Sequence, residues 1–369
     1  MIKRIPYACL AALLVILTMA GCGKDAKEPS LAEDKAGLFS GDEKINLILT
    51  RGEDEGVLFY LGDLKAYTWE AKLYLYNMQE SYESIYGNGF WQHTGTDGLD
   101  PGEHLKSSAM ARITAVKTMV LLAQSRGIEL ETKEKQLAAQ AAQTYYGSLP
   151  SDVKNDLGAD AEDIADAYLN LALADKVYHE ILMETEPEIS DDEARIVTVS
   201  RILIKTKKPD GNGNEVPFSD SEKREAYQKA LAILSRLKQG EDFDTLAAAN
   251  NEGGKITVSF GKDEVSPEVS EAAFSLGSEE ISRVVETEDG YLIMKCLQPF
   301  DKKQTDLRKD RIAAKRKEEA FASVYDDFSK GLFRHLVEDE YKKLRLSSGT
   351  GSGGENFFSV YMSLFTQNA

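Results

Sequence analysis

Through residues 60–185, apolar side chains return at steps of three and four, the period of helices that bury one face. One stripe, Leu64, Tyr67, Ala71, Tyr74, Leu75, Met78, Tyr82 and Ile85, predicts a helix capped by Asp63 and stopped at Gly87 and Gly89. Shorter stripes predict helices over residues 104–126, ended by Gly127, and over 132–146. The strongest, containing Ile164, Ala167, Tyr168, Leu171, Tyr178 and Ile181, predicts a helix over residues 160–184. Ahead of them, residues 45–50 and 57–61 read as short strands. On this pattern residues 45–189 form a helical domain with an apolar inner face.

The pattern changes at residue 190. Ser190 and Glu193 have capping-box spacing and open a short helical turn before a strand over residues 196–205. A polar, glycine-rich loop spans 207–217, and a second capping box, Ser219 with Glu222, starts a helix reaching residue 239. A short helix over 242–250, a strand over 256–260 and a helix over 267–276 follow. Two strands, 283–287 and 291–297, close the segment around Asp289-Gly290. The expectation is an α+β chain in which residues 190–300 form a mixed module inserted into the helical part: a strand, three helices with a strand interposed, then a hairpin. After Pro299 the helical period resumes, and Phe321, Val324, Phe328, Leu332, Leu336 and Tyr341 predict one helix over residues 301–346. Its basic stretch, residues 308–317, reads as a solvated and partly paired face. Residues 347–369 read as a flexible tail, a Gly/Ser linker followed by an aromatic end that either packs on the body or stays loose. No internal repeat emerges, nor a transmembrane span after the first segment.

That first segment has its own logic. Lys3 and Arg4 precede an apolar stretch over residues 8–19 that is too short for an ordinary membrane span. Met19-Ala20-Gly21-Cys22 then resembles a bacterial lipobox. The resemblance implies a signal peptide over residues 1–21 and lipid on Cys22, with an uncleaved anchor or a soluble secreted protein as the alternatives. Residues 22–44, poor in aromatics, read as a solvated tether. Cys9 falls in the signal, so Cys22 and Cys296 remain, and Cys296 sits in an apolar strand as a structural thiol. A hydrophobic fraction of 42% and a charged fraction of 29% match ordinary globular usage and exclude a disordered or fibrous chain. The net charge of −18 disfavours nucleic acid and anionic lipid as partners, so any membrane attachment falls to the lipid on Cys22.

Several motifs in the mixed segment stand in a familiar order. They are Val199-Ser-Arg-Ile-Leu-Ile204, Leu237-Lys-Gln-Gly-Glu-Asp-Phe243 with Leu246-Ala247, Phe260-Gly261, Ala272-Ala-Phe-Ser-Leu276, Glu280-Ile-Ser282 and Val285-Glu-Thr-Glu-Asp-Gly-Tyr291. Together they resemble the parvulin-type prolyl isomerases over about 100 residues (roughly the size of one small domain), and the flanks resemble the PrsA/SurA foldase lipoproteins. The resemblance implies an extracytoplasmic folding factor acting on unfolded or newly translocated polypeptides; no cofactor is expected, and a homodimer is left open. It also implies a polar cluster with two histidines beside an apolar proline pocket.

Both histidines are missing. The chain has four, His93, His104, His179 and His335, and the two family positions fall on Arg201 and Leu292. The position of the family's Cys or Asp falls on Asn250 or Asn251, and Thr287 keeps the hydroxyl position. Phe260 keeps its place in the proline pocket, where Val265 and Val269 replace larger side chains. The candidate site is therefore Arg201, Asn250, Asn251 and Thr287 for chemistry, with Phe260, Val265, Val269 and Leu292 for substrate. Scattered histidines and few cysteines give no metal site, and no phosphate loop or hydrolase triad competes. The leading expectation is a membrane-anchored foldase or chaperone whose parvulin domain is degenerate. An active isomerase is the alternative, and an adhesion or transporter-associated surface lipoprotein the second.

Overall fold

The computed structural model describes residues 55–92, 100–210, 213–347 and 354–365. The signal segment, Cys22, the tether and the strand expected at 45–50 lie outside the described residues. The chain divides into two compact units, one made of Met1–Glu184 with Ala320–Ala369 and the other of Thr185–Glu319. The architecture is α+β, as the periodicities implied.

The first unit opens with β1 (Val57–Leu61) and β2 (Leu64–Tyr67), an antiparallel hairpin in which Leu61 faces Leu64. Asp63 therefore caps no helix; it lies in the hairpin turn. Gly62 there adopts φ +54, open to glycine without strain, and Ala66 turns inward while Lys65 and Tyr67 turn out. Helix α1 (Thr68–Tyr86) starts after Tyr67, whose N–H donates to the Glu70 carboxylate at 3.0 Å, and a 3-10 turn (Asn88–Gln92) follows it. Helix α2 (Pro101–Arg126) begins on Asp100, which accepts from the Gly102 and Glu103 amides, and ends on left-handed Gly127. Helices α3 (Thr132–Ser148), α4 (Ser151–Leu157) and α5 (Ala161–Glu184) complete the run, α5 capped by Asp160.

The second unit contains α6 (Asp191–Ala194), β3 (Ile196–Lys205), a small hairpin of β4 (Lys207–Pro209) and β5 (Glu215–Pro217), α7 (Asp220–Lys238), α8 (Phe243–Asn250), β6 (Thr257–Gly261), α9 (Pro267–Phe274), β7 (Val285–Glu286) and β8 (Gly290–Gln298). Segment 207–217 was expected as plain loop; strands of three residues hold too few apolar positions to display a period. The main sheet is antiparallel in the order β6-β3-β8-β7. Both faces are covered, so β3 reads as a nearly continuous apolar run. Ile202 and Ile204 of β3, with Tyr291 and Ile293 of β8, pack beneath α7 and α8. Val199 and Leu203, with Leu292 and Met294, pack on the opposite side with α9.

The last part departs from the expected single helix over 301–346. Helix α10 (Lys302–Lys330) stops at Gly331, and the chain continues as β9 (Arg334–Leu336) and a short helix α11 (Glu338–Tyr341). β9 pairs with β1, setting Leu336 opposite Phe59. Leu332 and Leu336 are four residues apart, which places them on one side of a helix and equally on one side of a strand. Sequence spacing could not separate the two, and the unpaired edge of β1 decided. The tail differs as well: α12 (Phe357–Phe365) is a helix, and Phe357, Val360 and Tyr361 are buried in the core of the first unit. The Phe357 ring stacks 4.2 Å from Tyr168, and its amide donates to the Asn77 side-chain oxygen at 2.7 Å.

Candidate functional site

β3 carries the centre of the candidate site. Arg201 and Leu203 alternate with Ile202 and Ile204, and pairing with β8 sets Leu203 beside Leu292, which in turn faces Val285 of β7. β6 contributes Phe260 opposite Val197, and the segment into α9 contributes Val265 and Val269. The structure thus gathers Phe260, Val265, Val269 and Leu292 into one apolar cluster. That cluster is well closed: Phe260, Val269 and Leu292 are buried and Val265 half-buried.

The polar candidates behave differently, because each is engaged with nearby backbone. Arg201 donates from Nε to the Lys255 carbonyl at 3.0 Å and from Nη2 to the Gly253 carbonyl at 2.8 Å. Asn251 accepts from the Leu203 amide at 3.0 Å and the Gly253 amide at 3.2 Å, while its Nδ2 donates to the Gly254 carbonyl at 2.8 Å. Asn250 donates to the Leu246 carbonyl within its own helix. The Thr287 hydroxyl donates to the Gly290 carbonyl at 2.8 Å and closes the β7–β8 turn.

These bonds have a common structural purpose. Register pairing between β3 and β6 ends at Ser200 opposite Thr257, and after one more bond, from the Arg201 amide to the Ile256 carbonyl at 2.9 Å, the Leu203 and Lys205 amides have no strand partner on that edge. Residues 251–255 cover this edge: Asn251 takes the Leu203 amide, Glu252 Oε2 takes the Lys205 amide at 2.7 Å, and the Glu252 amide donates to the Leu203 carbonyl at 2.8 Å. Gly253 lies so close to β3 that a Cβ there would meet Leu203 at 2.8 Å. Arg201 then pins the covering segment from below. Glu252 was not singled out from sequence, since a carboxylate replacing a strand carbonyl has no local signature.

A second contributor also escaped sequence reasoning. The guanidinium of Arg308, on α10, is buried over Gly261, where a Cβ would collide with it. It pairs with Asp263, and with Glu264 at 2.9 Å, so it fixes the chain between Phe260 and Val265. The guanidinium holds the Asp263 carboxyl below the usual carboxylate range. The only visible signal was the glycine after Phe260, and its partner lies far along the chain.

Thr287 opens on a different space. It lines a cavity of about 190 Å³ with Thr206, Lys207, Pro217, Lys223 and Tyr291, and none of the four apolar candidates lines it. The hydroxyl and the apolar cluster therefore do not share one pocket wall there. Burial pushes the Cys296 thiol up from its ordinary value, which suits a structural residue in β8. Among the described residues no group of three or more His, Cys, Asp or Glu could hold a metal ion.

Comparison with known proteins gives this geometry its context. Residues 202–298 match the family described as "Rotamase: PPIC-type PPIASE domain". Foldase protein PrsA 3 of Bacillus anthracis is 29% identical over 144 residues, which cover 36% of this chain and 48% of that protein. The chain thus matches about half the length of this curated relative. The solved structure of PrsA from Bacillus anthracis aligns with 60% of this chain and 95% of its own at 19% identity, with a TM-score of 0.28. The foldase PrsA of Lactococcus lactis aligns with 77% of this chain and 96% of its own at 14% identity, with a TM-score of 0.33. Residues 202–298 thus match the PPIC-type rotamase domain, and over 144 residues the chain is similar to the PrsA foldases.

Proposed function

We propose that this chain is an extracytoplasmic foldase, anchored to the membrane by lipid on Cys22, that holds unfolded polypeptides and has a parvulin domain with weak or no isomerase activity. The observation that carries the reading is the engagement of Arg201, Asn251 and Thr287 with backbone atoms beside a leucine at position 292. Rotating a prolyl peptide bond means crossing a resonance barrier of about 18–20 kcal/mol, so a catalyst must favour the twisted amide over the planar one. Arg201 could donate to a substrate carbonyl only by giving up its bonds to Gly253 or Lys255. Leu292 offers no donor in place of the family's histidine. Apolar contact with a peptide, by contrast, needs neither.

A protease-coupled tetrapeptide assay run beside an aggregation assay tests this. The expected result is suppressed aggregation of an unfolded client with prolyl isomerisation near the uncatalysed rate. Strong isomerisation without any effect on aggregation overturns it. Radiolabelled fatty acid incorporated into the wild-type protein but not into Cys22→Ser tests the anchor.

A further inference from the structure

The first unit carries an aromatic surface of which Trp91 packs against the core while Tyr82, Tyr86 and Phe90 stand outside it. Tyr82 and Tyr86 at the end of α1 meet Phe90 and Trp91 of the following turn, with ring centroids between 5.0 Å (Phe90–Trp91) and 6.2 Å (Tyr82–Tyr86). Ile85 is 72% exposed and Tyr86 63% exposed, so an ordered group of large apolar side chains stands in water. Such clusters on soluble proteins mark binding surfaces, and Tyr and Trp are the side chains most often found at their energetic centres.

The border of this patch is acidic. Glu83 accepts from the Trp91 indole N–H at 2.7 Å, and Glu80 lies one turn earlier on α1. Both carboxylates, with Asp152, bear on the Tyr76 hydroxyl, a buried oxygen without a hydrogen-bond partner among the described residues. Burial and the neighbouring Glu83 push the Glu80 carboxyl up, the direction that an added cation would reverse. Among the described residues no lysine or arginine pairs with Glu80, Glu83 or Asp152. Arg112, near Tyr82, is half-buried and lies over the Phe358 ring at 6.0 Å.

We propose that this surface binds cationic, apolar stretches of unfolded polypeptide, with Tyr82, Tyr86 and Trp91 receiving apolar side chains and guanidinium or ammonium groups, and Glu80 and Glu83 neutralising the charge. The choice of an unfolded chain as occupant rests on the foldase reading; the charge and apolar character come from the patch. Aromatic faces attract cations as well as apolar groups. The chain's net charge of −18 adds a long-range preference for cationic segments that salt screens.

The test is fluorescence anisotropy of labelled, unstructured peptides on the full chain: one alternating Lys and Arg with Leu and Phe, and a counterpart with Glu at each cationic position. Binding of the cationic peptide should be at least tenfold tighter than that of the acidic one and weaken as salt rises. Ile85→Ser with Tyr86→Ser, both solvent-facing, should weaken it about tenfold while circular dichroism and the melting temperature stay unchanged. Glu80→Gln with Glu83→Gln, which keeps an acceptor for Trp91, should remove the preference for cations but leave residual apolar binding. Equal binding of the two peptides, or insensitivity to both pairs of substitutions, overturns the proposal, as does a dimer that disappears in Ile85→Ser with Tyr86→Ser and identifies a second copy as the occupant. An aggregation assay on the same samples separates the readings: suppression that persists without patch-dependent peptide binding leaves the foldase reading standing and removes this one.

Discussion

Replacing Phe357 with alanine is the most direct perturbation of the first unit, because it distinguishes a docked final helix from a loose tail. The side chain is 0% exposed, and its ring centroid lies 4.2 Å from Tyr168, 5.5 Å from Tyr145 and 6.0 Å from Tyr74. Truncating a ring in such a setting destabilises by about 3–5 kcal/mol, the transfer of the lost atoms plus the cavity they leave. The Asn77 acceptor for the Phe357 amide survives the change, so the loss is one of packing. For a unit of this size each kcal/mol moves the melting temperature by roughly 2–4 °C, which makes the expected fall about 6–20 °C. Urea unfolding followed by tryptophan fluorescence reads it, since Trp69 packs against the same cluster. An exposed tail would give a change within about 0.5 kcal/mol. A loss below about 1 kcal/mol would therefore refute the docking of α12 and the reasoning built on it.

Other predictions follow from the second unit. Arg201→Lys cannot reproduce two bonds to the Gly253 and Lys255 carbonyls, so the urea midpoint should fall by the equivalent of about 1–2 kcal/mol while the isomerisation rate stays where it was; a changed rate would make Arg201 catalytic. In a Cys9→Ser, Cys22→Ser background, Cys296, buried and with a raised thiol pKa, should react with maleimide only at the rate of unfolding, and rapid labelling of the native protein at neutral pH would contradict its placement. Asp263, held below the ordinary value of about 4 by Arg308, contributes stability that is complete above that value and declines as pH falls through the depressed one. Asp263→Asn should flatten this acid limb in pH-dependent urea unfolding, and an identical limb in both proteins would rule the pair out as its source.

What could be read from sequence was what is local. Ser219 with Glu222, and Asp242 ahead of α8, each hold a helix start through their own side chains, so the order of elements in the second unit was visible except for the β4–β5 hairpin. The hidden features depend on residues distant in the chain. Asn251 is a polar residue in a loop until the unpaired amide of Leu203 explains it, and Gly261 is a plain glycine until Arg308 arrives over it. The same holds for β9, whose spacing suits a helix equally well, and for α12, whose aromatic residues revealed apolar character but not the ring of Tyr168 they would meet. The missing histidines were plain in the sequence, whereas the backbone engagement of the residues in their place was not.

The discontinuity of the first unit has a consequence for how the chain is made. Tyr74, Tyr145 and Tyr168 are synthesised early, yet Phe357, the ring they surround, comes 283 residues after Tyr74. At about 5–20 residues per second the gap is on the order of tens of seconds. Meanwhile Thr185–Glu319 already has every piece of its own sheet and both of its apolar layers. The insert can mature while its host is still an open, aromatic-rich nascent chain, the kind of polypeptide a folding factor serves. Anything that stalls synthesis or cleaves the chain before residue 357 strands that host with its core open, so the integrity of the last few turns sets the yield of the whole molecule.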